Sequence, residues 1–269
     1  MSTLVAFHAH PDDESMIMAG TLARAAAEGH RVVVVVATNG DHGEKPADLK
    51  PGETLMDRRR AETKRSCDAL GVHRLEWLGY ADSGMTGWEQ NKHPNAFINA
   101  DTEIAAEALA TILREEHADV FVTYDWHGNY GHPDHIKVHR VGHRAATMAG
   151  VKVVYEVTMN RDHFRRLMNM AAEHPELVSG NEGFTDFNPD SPADDGNPMG
   201  EPESVISHRV DVTAYSQQKL AAIASHASQI SDTSYFTSMD PTIFAMAFGI
   251  EWFIKVGESG PPRDAWLFA

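Results

Sequence analysis

The stretch Arg31-Val32-Val33-Val34-Val35-Val36-Ala37 decides the fold. Five consecutive valines without polar alternation describe a strand that is apolar on both faces, as in a parallel sheet covered by helices on either side. On its N-terminal flank, Thr3–His8 reads as a first strand and Glu14–Glu28 as one helix, closed by Gly29 where a left-handed residue is wanted. On the other flank, a polar stretch over Thr38–Gly52 leads to a helix from about Glu53 to Leu70. A weak strand at Leu75–Leu78, a helix at Asp101–Glu116, a strand at Val120–Tyr124, a helix at Pro133–Ala149 and a strand at Val151–Val157 complete the alternation. Such βα succession predicts an α/β fold with a mostly parallel, doubly wound sheet flanked by helices. Residues 1–160 read as the core. Residues 161–269 read as a C-terminal α+β extension packed on it within a single domain, with a strand at Val205–Val212 and a helix at Ser216–Ser228. Residues 181–204 carry seven acidic residues and no Lys or Arg, which reads as a loop, either a lid or disorder.

The chain has 269 residues, with 39 Asp and Glu against 23 Lys and Arg, for a formal charge of −16. Nucleic acid and anionic membranes need a basic face, so neither is expected as a partner. The single cysteine, Cys67, excludes an intramolecular disulfide and any paired-cysteine zinc site, so a metal here must be held by His and carboxylates. No signal-like segment opens the sequence, and the apolar run Ile243–Ile254, broken by Gly249 and Glu251, is too short to span a bilayer. A cytoplasmic protein is expected, and a homo-oligomer is compatible with the sequence.

Ligands of doubly wound sheets sit beyond the carboxyl ends of the strands. His8-Ala9-His10-Pro11-Asp12-Asp13-Glu14 follows the first strand, and Tyr130-Gly131-His132-Pro133-Asp134-His135 follows Val120–Tyr124. Proline suits the first turn of a helix, where residues three apart share a face, which pairs His10 with Asp13 and His132 with His135. A catalytic zinc takes three protein ligands and leaves a position open for water, a count that two histidines and one carboxylate satisfy. Attack on an amide also requires a base and a proton donor. Asp12 is placed to meet the water and His132 to donate or to polarise an oxyanion, with Asp134 and Asp125 as acceptors that orient an imidazole. A lone His-Pro-Asp is ordinary at helix starts, but two of them directly after strands call for a metal hydrolase. The helical stripe His135, His139, His143 reads as structural beyond its first member.

Together, Ala9-His10-Pro11-Asp12-Asp13-Glu14 and His132-Pro133-Asp134-His135 resemble the signature of the PIG-L/LmbE-like zinc-dependent de-N-acetylases. The resemblance covers about the first 150 residues and returns near Ser225-His226-Ala227-Ser228-Gln229. It implies a Rossmann-like fold, one zinc ion per chain, and removal of an N-acetyl group from an N-acetylglucosaminyl small molecule or glycoconjugate. By motif position His10, Asp13 and His135 resemble the zinc ligands, Asp12 the base, His132 the acid or oxyanion residue, and Tyr130 a tyrosine that polarises the acetyl carbonyl. Arg59, in Arg59-Arg60-Ala61-Glu62, and Asp82, in Tyr80-Ala81-Asp82-Ser83-Gly84-Met85, resemble sugar-contacting residues. The donor set also suits other divalent metals. The Asp82 and His226 segments look most like the mycothiol deacetylase and mycothiol-conjugate amidase branch. Those enzymes, however, carry Ser or Lys where Ile17 stands in Met16-Ile17-Met18, which points toward a more apolar acceptor. An amidase cutting a larger N-acyl group is the alternative activity, and a non-catalytic sugar- or metal-binding protein the alternative class. His226 either reaches the site or, as the favoured expectation, is a solvated histidine on a helix surface.

Overall fold

The protein was analysed as a computed structural model that describes residues 1–174 and 188–268. Among these residues eight strands form one sheet: β1 (Thr3–His8), β2 (Arg31–Thr38), β3 (Arg74–Tyr80), β4 (Val120–Tyr124), β5 (Val153–Thr158), β6 (His208–Asp211), β7 (Ile250–Lys255) and β8 (Arg263–Asp264). Their spatial order is β3-β2-β1-β4-β5-β7-β6-β8. The first five are mutually parallel, β7 runs antiparallel to both β5 and β6, and β8 is parallel to β6. The five valines of β2 are fully buried, because helices cover both faces of the strand.

The helices are α1 (Asp13–Ile17), α2 (Ala19–Ala27), α3 (Leu55–Leu70), α4 (Thr102–Glu115), α5 (Pro133–Ala149), α6 (Arg161–Glu173), α7 (Ser216–Ser225), α8 (Ile230–Thr237) and α9 (Pro241–Phe248). Local signals set their ends. Thr54 and Asp57 form a capping box at the start of α3, Asp101 accepts from the Glu103 and Ile104 amides of α4, and left-handed Gly71 and Gly150 close α3 and α5.

The single helix expected over Glu14–Glu28 is two helices, broken at Met18 (φ −147°). The break frees amides at the start of α2, and the buried Glu251 carboxylate of β7 accepts from Gly20 N and Thr21 N at 3.0 and 2.8 Å. Lys219 of α7 neutralises Glu251 at 2.7 Å. Gly20 lies so close to Val212 that a Cβ there would sit 2.4 Å from its Cγ2. The expected strand at Val205–Val212 shortens to β6, and the apolar run Ile243–Ile254 divides at Gly249 into α9 and β7. The α+β elements after residue 160 thus continue the same sheet. Of the acidic segment 181–204, residues 181–187 lie outside the described residues. Its remainder packs beside the β4 end, where Arg161 of α6 donates to the carbonyls of Met199 and Gly200.

A candidate metal-assisted active site at the β1 and β4 ends

β1 and β4 are neighbours whose onward connections leave in opposite directions across the sheet, to β2 on one side and β5 on the other. This is the crevice in which doubly wound sheets bind ligands. It brings together the two His-Pro-Asp segments, which start at His10 and His132.

Asp12 begins α1 with φ 106°, a left-handed conformation unfavourable for a residue with a Cβ, and so turns the chain sharply after β1. On the other side, Asp125 Oδ1 accepts from the amides of His127 and Asn129, and Thr158 Oγ1 donates to Asp125 Oδ2 at 2.6 Å. Asp125 thus braces the loop before α5 and orients none of the histidines expected to serve the metal. Gly128 within that loop has φ 63° and packs so closely that a Cβ there would meet His135 Cβ at 2.2 Å.

The imidazole tautomers follow from their partners. His135 Nδ1 lies 3.1 Å from the Gly128 carbonyl, which can only accept, so Nδ1 carries the proton and Nε2 presents a lone pair. His10 Nε2 lies 3.2 Å from the buried Asp134 carboxylate and donates to it, which leaves the lone pair on Nδ1. Asp134 is held in turn by the Ser83 amide at 2.8 Å and by the Ser83 hydroxyl. His132 is the reverse case. As N-cap of α5 its Nδ1 accepts from the Asp134 amide at 3.1 Å, so the neutral ring carries its proton on Nε2. Three histidines of one cluster therefore divide into two lone-pair donors and one N–H donor.

His10 Nδ1 is 3.2 Å from His135 Nε2 and 3.6 Å from Asp13 Oδ2, while His135 Nε2 is 3.4 Å from Asp13 Oδ1. A tetrahedral ion with bonds of about 2.0–2.1 Å has edges of about 3.3 Å, and the two nitrogens and the Asp13 carboxylate, which turns one oxygen toward each ring, lie near that spacing. The carboxylates around His10 favour positive charge there: against its burial, Asp82, Asp13 and Asp134 raise its pKa well above the ordinary value, so an ion bound at Nδ1 displaces a proton. At His135 burial, with the His10 charge beside it, outweighs Asp13, and the pKa falls to about 4.

The remaining expected residues all line the same cavity of about 630 Å³ except Asp134, which lies behind His10. Tyr130 OH lies 3.3 Å from His135 Nε2 and donates to its lone pair. Burial holds the Asp12 carboxyl up at about 6, against the Arg59 charge that lowers it. Arg59 itself, buried to 3 % exposure, donates to Asp12 Oδ2, Pro11 O and Gly40 O at 2.8, 2.5 and 2.8 Å. Asp82 Oδ1 lies 3.6 Å from His10 Nε2 and accepts from the Gly84 amide at 2.8 Å, at the metal end of the cavity.

His226 is fully buried rather than solvated, because α7 ends against α3 and delivers its ring to Glu14, with Nε2 2.7 Å from Glu14 Oε1. Sequence reasoning assigned no role to Glu14, whose other oxygen accepts from the Asp12 amide at 3.0 Å, or to Ser83. Their only signal was adjacency to Asp13 and Asp82. His139 and His143 face Glu156 and the Tyr124 carbonyl, away from the cluster.

A doubly wound sheet with two histidines and an aspartate facing one another at its switch point, beside a second carboxylate, is an arrangement able to hold a divalent metal. The family described as GlcNAc-PI de-N-acetylase, PIG-L, matches residues 5–146, and the chain belongs to this family. A 1D-myo-inositol 2-acetamido-2-deoxy-alpha-D-glucopyranoside deacetylase of Acidothermus cellulolyticus is 37% identical over 275 residues, 97% of this chain and 91% of the relative. A protein of the same name from Nocardiopsis dassonvillei is 40% identical over 235 residues, 83% of each chain. Among solved structures, N,N'-diacetylchitobiose deacetylase from Pyrococcus horikoshii superposes with a TM-score of 0.58 at 21% identity, covering 94% of this chain and 82% of that one, a likeness of fold. Among the described residues no helix is long and apolar enough to cross a membrane.

Proposed function

We propose that this chain is a zinc-dependent hydrolase that removes the N-acetyl group from an N-acetylglucosaminyl glycoside, with His10, Asp13 and His135 as ligands and Asp12 as base. The observation that carries the reading is the division of tautomers, in which His10 and His135 present lone pairs beside Asp13 while His132 presents an N–H. The names of the relatives at 37% and 40% identity support a glucosaminide substrate, with a glycosyl inositol as the first one to try.

A divalent ion supplies Lewis acidity at the acetyl carbonyl and acidifies water. Asp12, with its carboxyl near 6, is a base at neutral pH and takes the proton of the attacking water. The water oxygen bonds to the acetyl carbon, and the negative charge that develops on the carbonyl oxygen meets the Nε2–H of His132. Tyr130, kept neutral by burial, is a second O–H donor once the His135 lone pair is engaged elsewhere. The C–N bond then breaks, the proton held by Asp12 passes to the departing nitrogen, and acetate and a free amine result. Arg59 holds Asp12 in place, and Asp82 stands where a sugar hydroxyl can reach it.

The test is acetate release by the zinc-loaded protein from N-acetylglucosaminyl inositol and from simple N-acetylglucosaminides. Hydrolysis that Asp12→Ala abolishes supports the reading. Release of a larger acyl fragment instead of acetate turns it into the amidase, and unchanged hydrolysis in Asp12→Ala removes Asp12 as base.

A further inference from the structure

The cavity has walls of two chemistries. Around His10, Asp12, Asp13 and His132 it is polar. Away from them it is lined by Ile17, Met159, Met199, Phe236, Phe248 and Ile250, contributed by α1, the chain after β5, the segment before β6, α8, α9 and β7. Each of these six is only partly buried by the protein itself. Met159, Phe236 and Phe248 also belong to the edge of a second apolar cluster, built around Phe164, Leu167, Ile243 and Phe244 and separate from the main core. Phe164 and Ala247 of that second core also line the cavity.

Single exposed apolar residues need no explanation, but six from as many segments converging on one cavity do. Small-molecule sites combine an apolar lining with a few convergent polar groups, and here the polar groups are those of the proposed chemistry. An inositol would bring hydroxyls against this wall. The nearby charged pair offers little to them, since Lys219 and Glu251 are joined to each other and Glu251 also accepts from the Gly20 and Thr21 amides. The two methionines adapt their shape to an irregular apolar group.

We infer that the glycosides taken by this site carry an apolar aglycone, aryl or alkyl, seated against the Ile17–Phe248 wall. The inference rests on the proposed de-N-acetylase reading for the position of the sugar, and the wall is the part of the cavity that the acetamido group leaves free.

The experiment compares kcat/KM for acetate release by the zinc-loaded full chain from N-acetylglucosamine, its inositol glycoside, and its p-nitrophenyl and octyl glycosides below micellar concentration. The aryl and octyl glycosides should exceed the inositol glycoside by about tenfold or more, the factor that accompanies burial of two or three methylenes. Ile17→Lys should shrink that ratio toward one, because it puts an ammonium into the wall. Equal or better turnover of the inositol glycoside overturns the inference. Calorimetric titration of the same four compounds keeps the two readings separable. If none releases acetate yet octyl glycoside binds more tightly than the sugar alone and Ile17→Lys abolishes the difference, the apolar subsite stands and the de-N-acetylase reading falls. If binding shows no such preference, the inference falls with it.

Discussion

His226 Nε2 lies 2.7 Å from Glu14 Oε1, and neither side chain has any exposed surface. Ser66 donates to the same Glu14 oxygen at 2.5 Å, and the other oxygen accepts from the Asp12 amide. An ion pair between residues 14 and 226 therefore stands directly behind the proposed base and ties α7 to the segment after β1.

Removing one partner leaves a buried uncompensated charge, so His226→Ala should destabilise the protein by about 3–5 kcal/mol. The pH dependence follows from both groups. Burial opposes the His226 proton, but Glu14 raises its pKa above the ordinary 6.5. Burial likewise opposes the Glu14 charge, but His226 and Ser66 lower its pKa below 4.5. The histidine contribution is complete below 6.5 and is lost as pH rises through the raised folded value. The glutamate contribution is complete above 4.5 and is lost as pH falls through the lowered one. Denaturant midpoints for wild type and His226→Gln should differ most between those two values, and a gap that ignores pH would sink the account.

The division of the three histidines predicts two kinds of variant. His10→Ala, Asp13→Ala and His135→Ala should each lose the bound ion. His132→Ala should keep it, with kcat lowered by about 10²–10³ as for loss of one oxyanion donor. Metal content by mass spectrometry of the purified proteins decides this independently of activity, and loss of the ion from His132→Ala would make that residue a ligand.

Asp134→Asn keeps the shape of the side chain but can turn an NH₂ toward His10 Nε2, releasing the tautomer that leaves Nδ1 free. Metal affinity should fall by about 10–100-fold. Competition with a chelating dye measures it, and an unchanged affinity would mean that Asp82, at 3.6 Å from the same nitrogen, suffices to orient the ring.

The carboxyl of Asp12, raised to about 6 by burial before any ion is added, can only move down beside a dication. As the base it must be ionised, so kcat/KM should fall as pH falls through a value at or below 6. An acid limb well above 6 would assign the titration to another group.

The βα order and the two His-Pro-Asp segments were legible because strand ends and helix starts are local features, here from His8 to Asp13 and from Tyr124 to Pro133. Which strands would be neighbours was not written locally. The motifs meet only because β4 lies beside β1, although β2 and β3 come between them in the chain. The break at Met18 was hidden because the acceptor for its freed amides, Glu251, lies more than 230 residues away and looks in sequence like a surface charge within an apolar run. His226 was misread for the same reason. A lone histidine near a helix end carries no mark of the glutamate that will cover it. That Arg59 would also grip Asp12, Pro11 and Gly40 was not legible, because these three acceptors belong to two other loops.

The bonds from Gly20 and Thr21 to Glu251 also set an order of events during synthesis. A ribosome delivers α2 early, but the carboxylate that caps it follows about 230 residues later. The segment that presents His10, Asp12 and Asp13 is held by Arg59 and Ser66 once α3 has formed, but the start of α2 that follows it lacks its acceptor until β7 has emerged. Truncation anywhere before residue 251 should therefore yield a protein with the start of α2 uncapped, however much of the parallel sheet it retains.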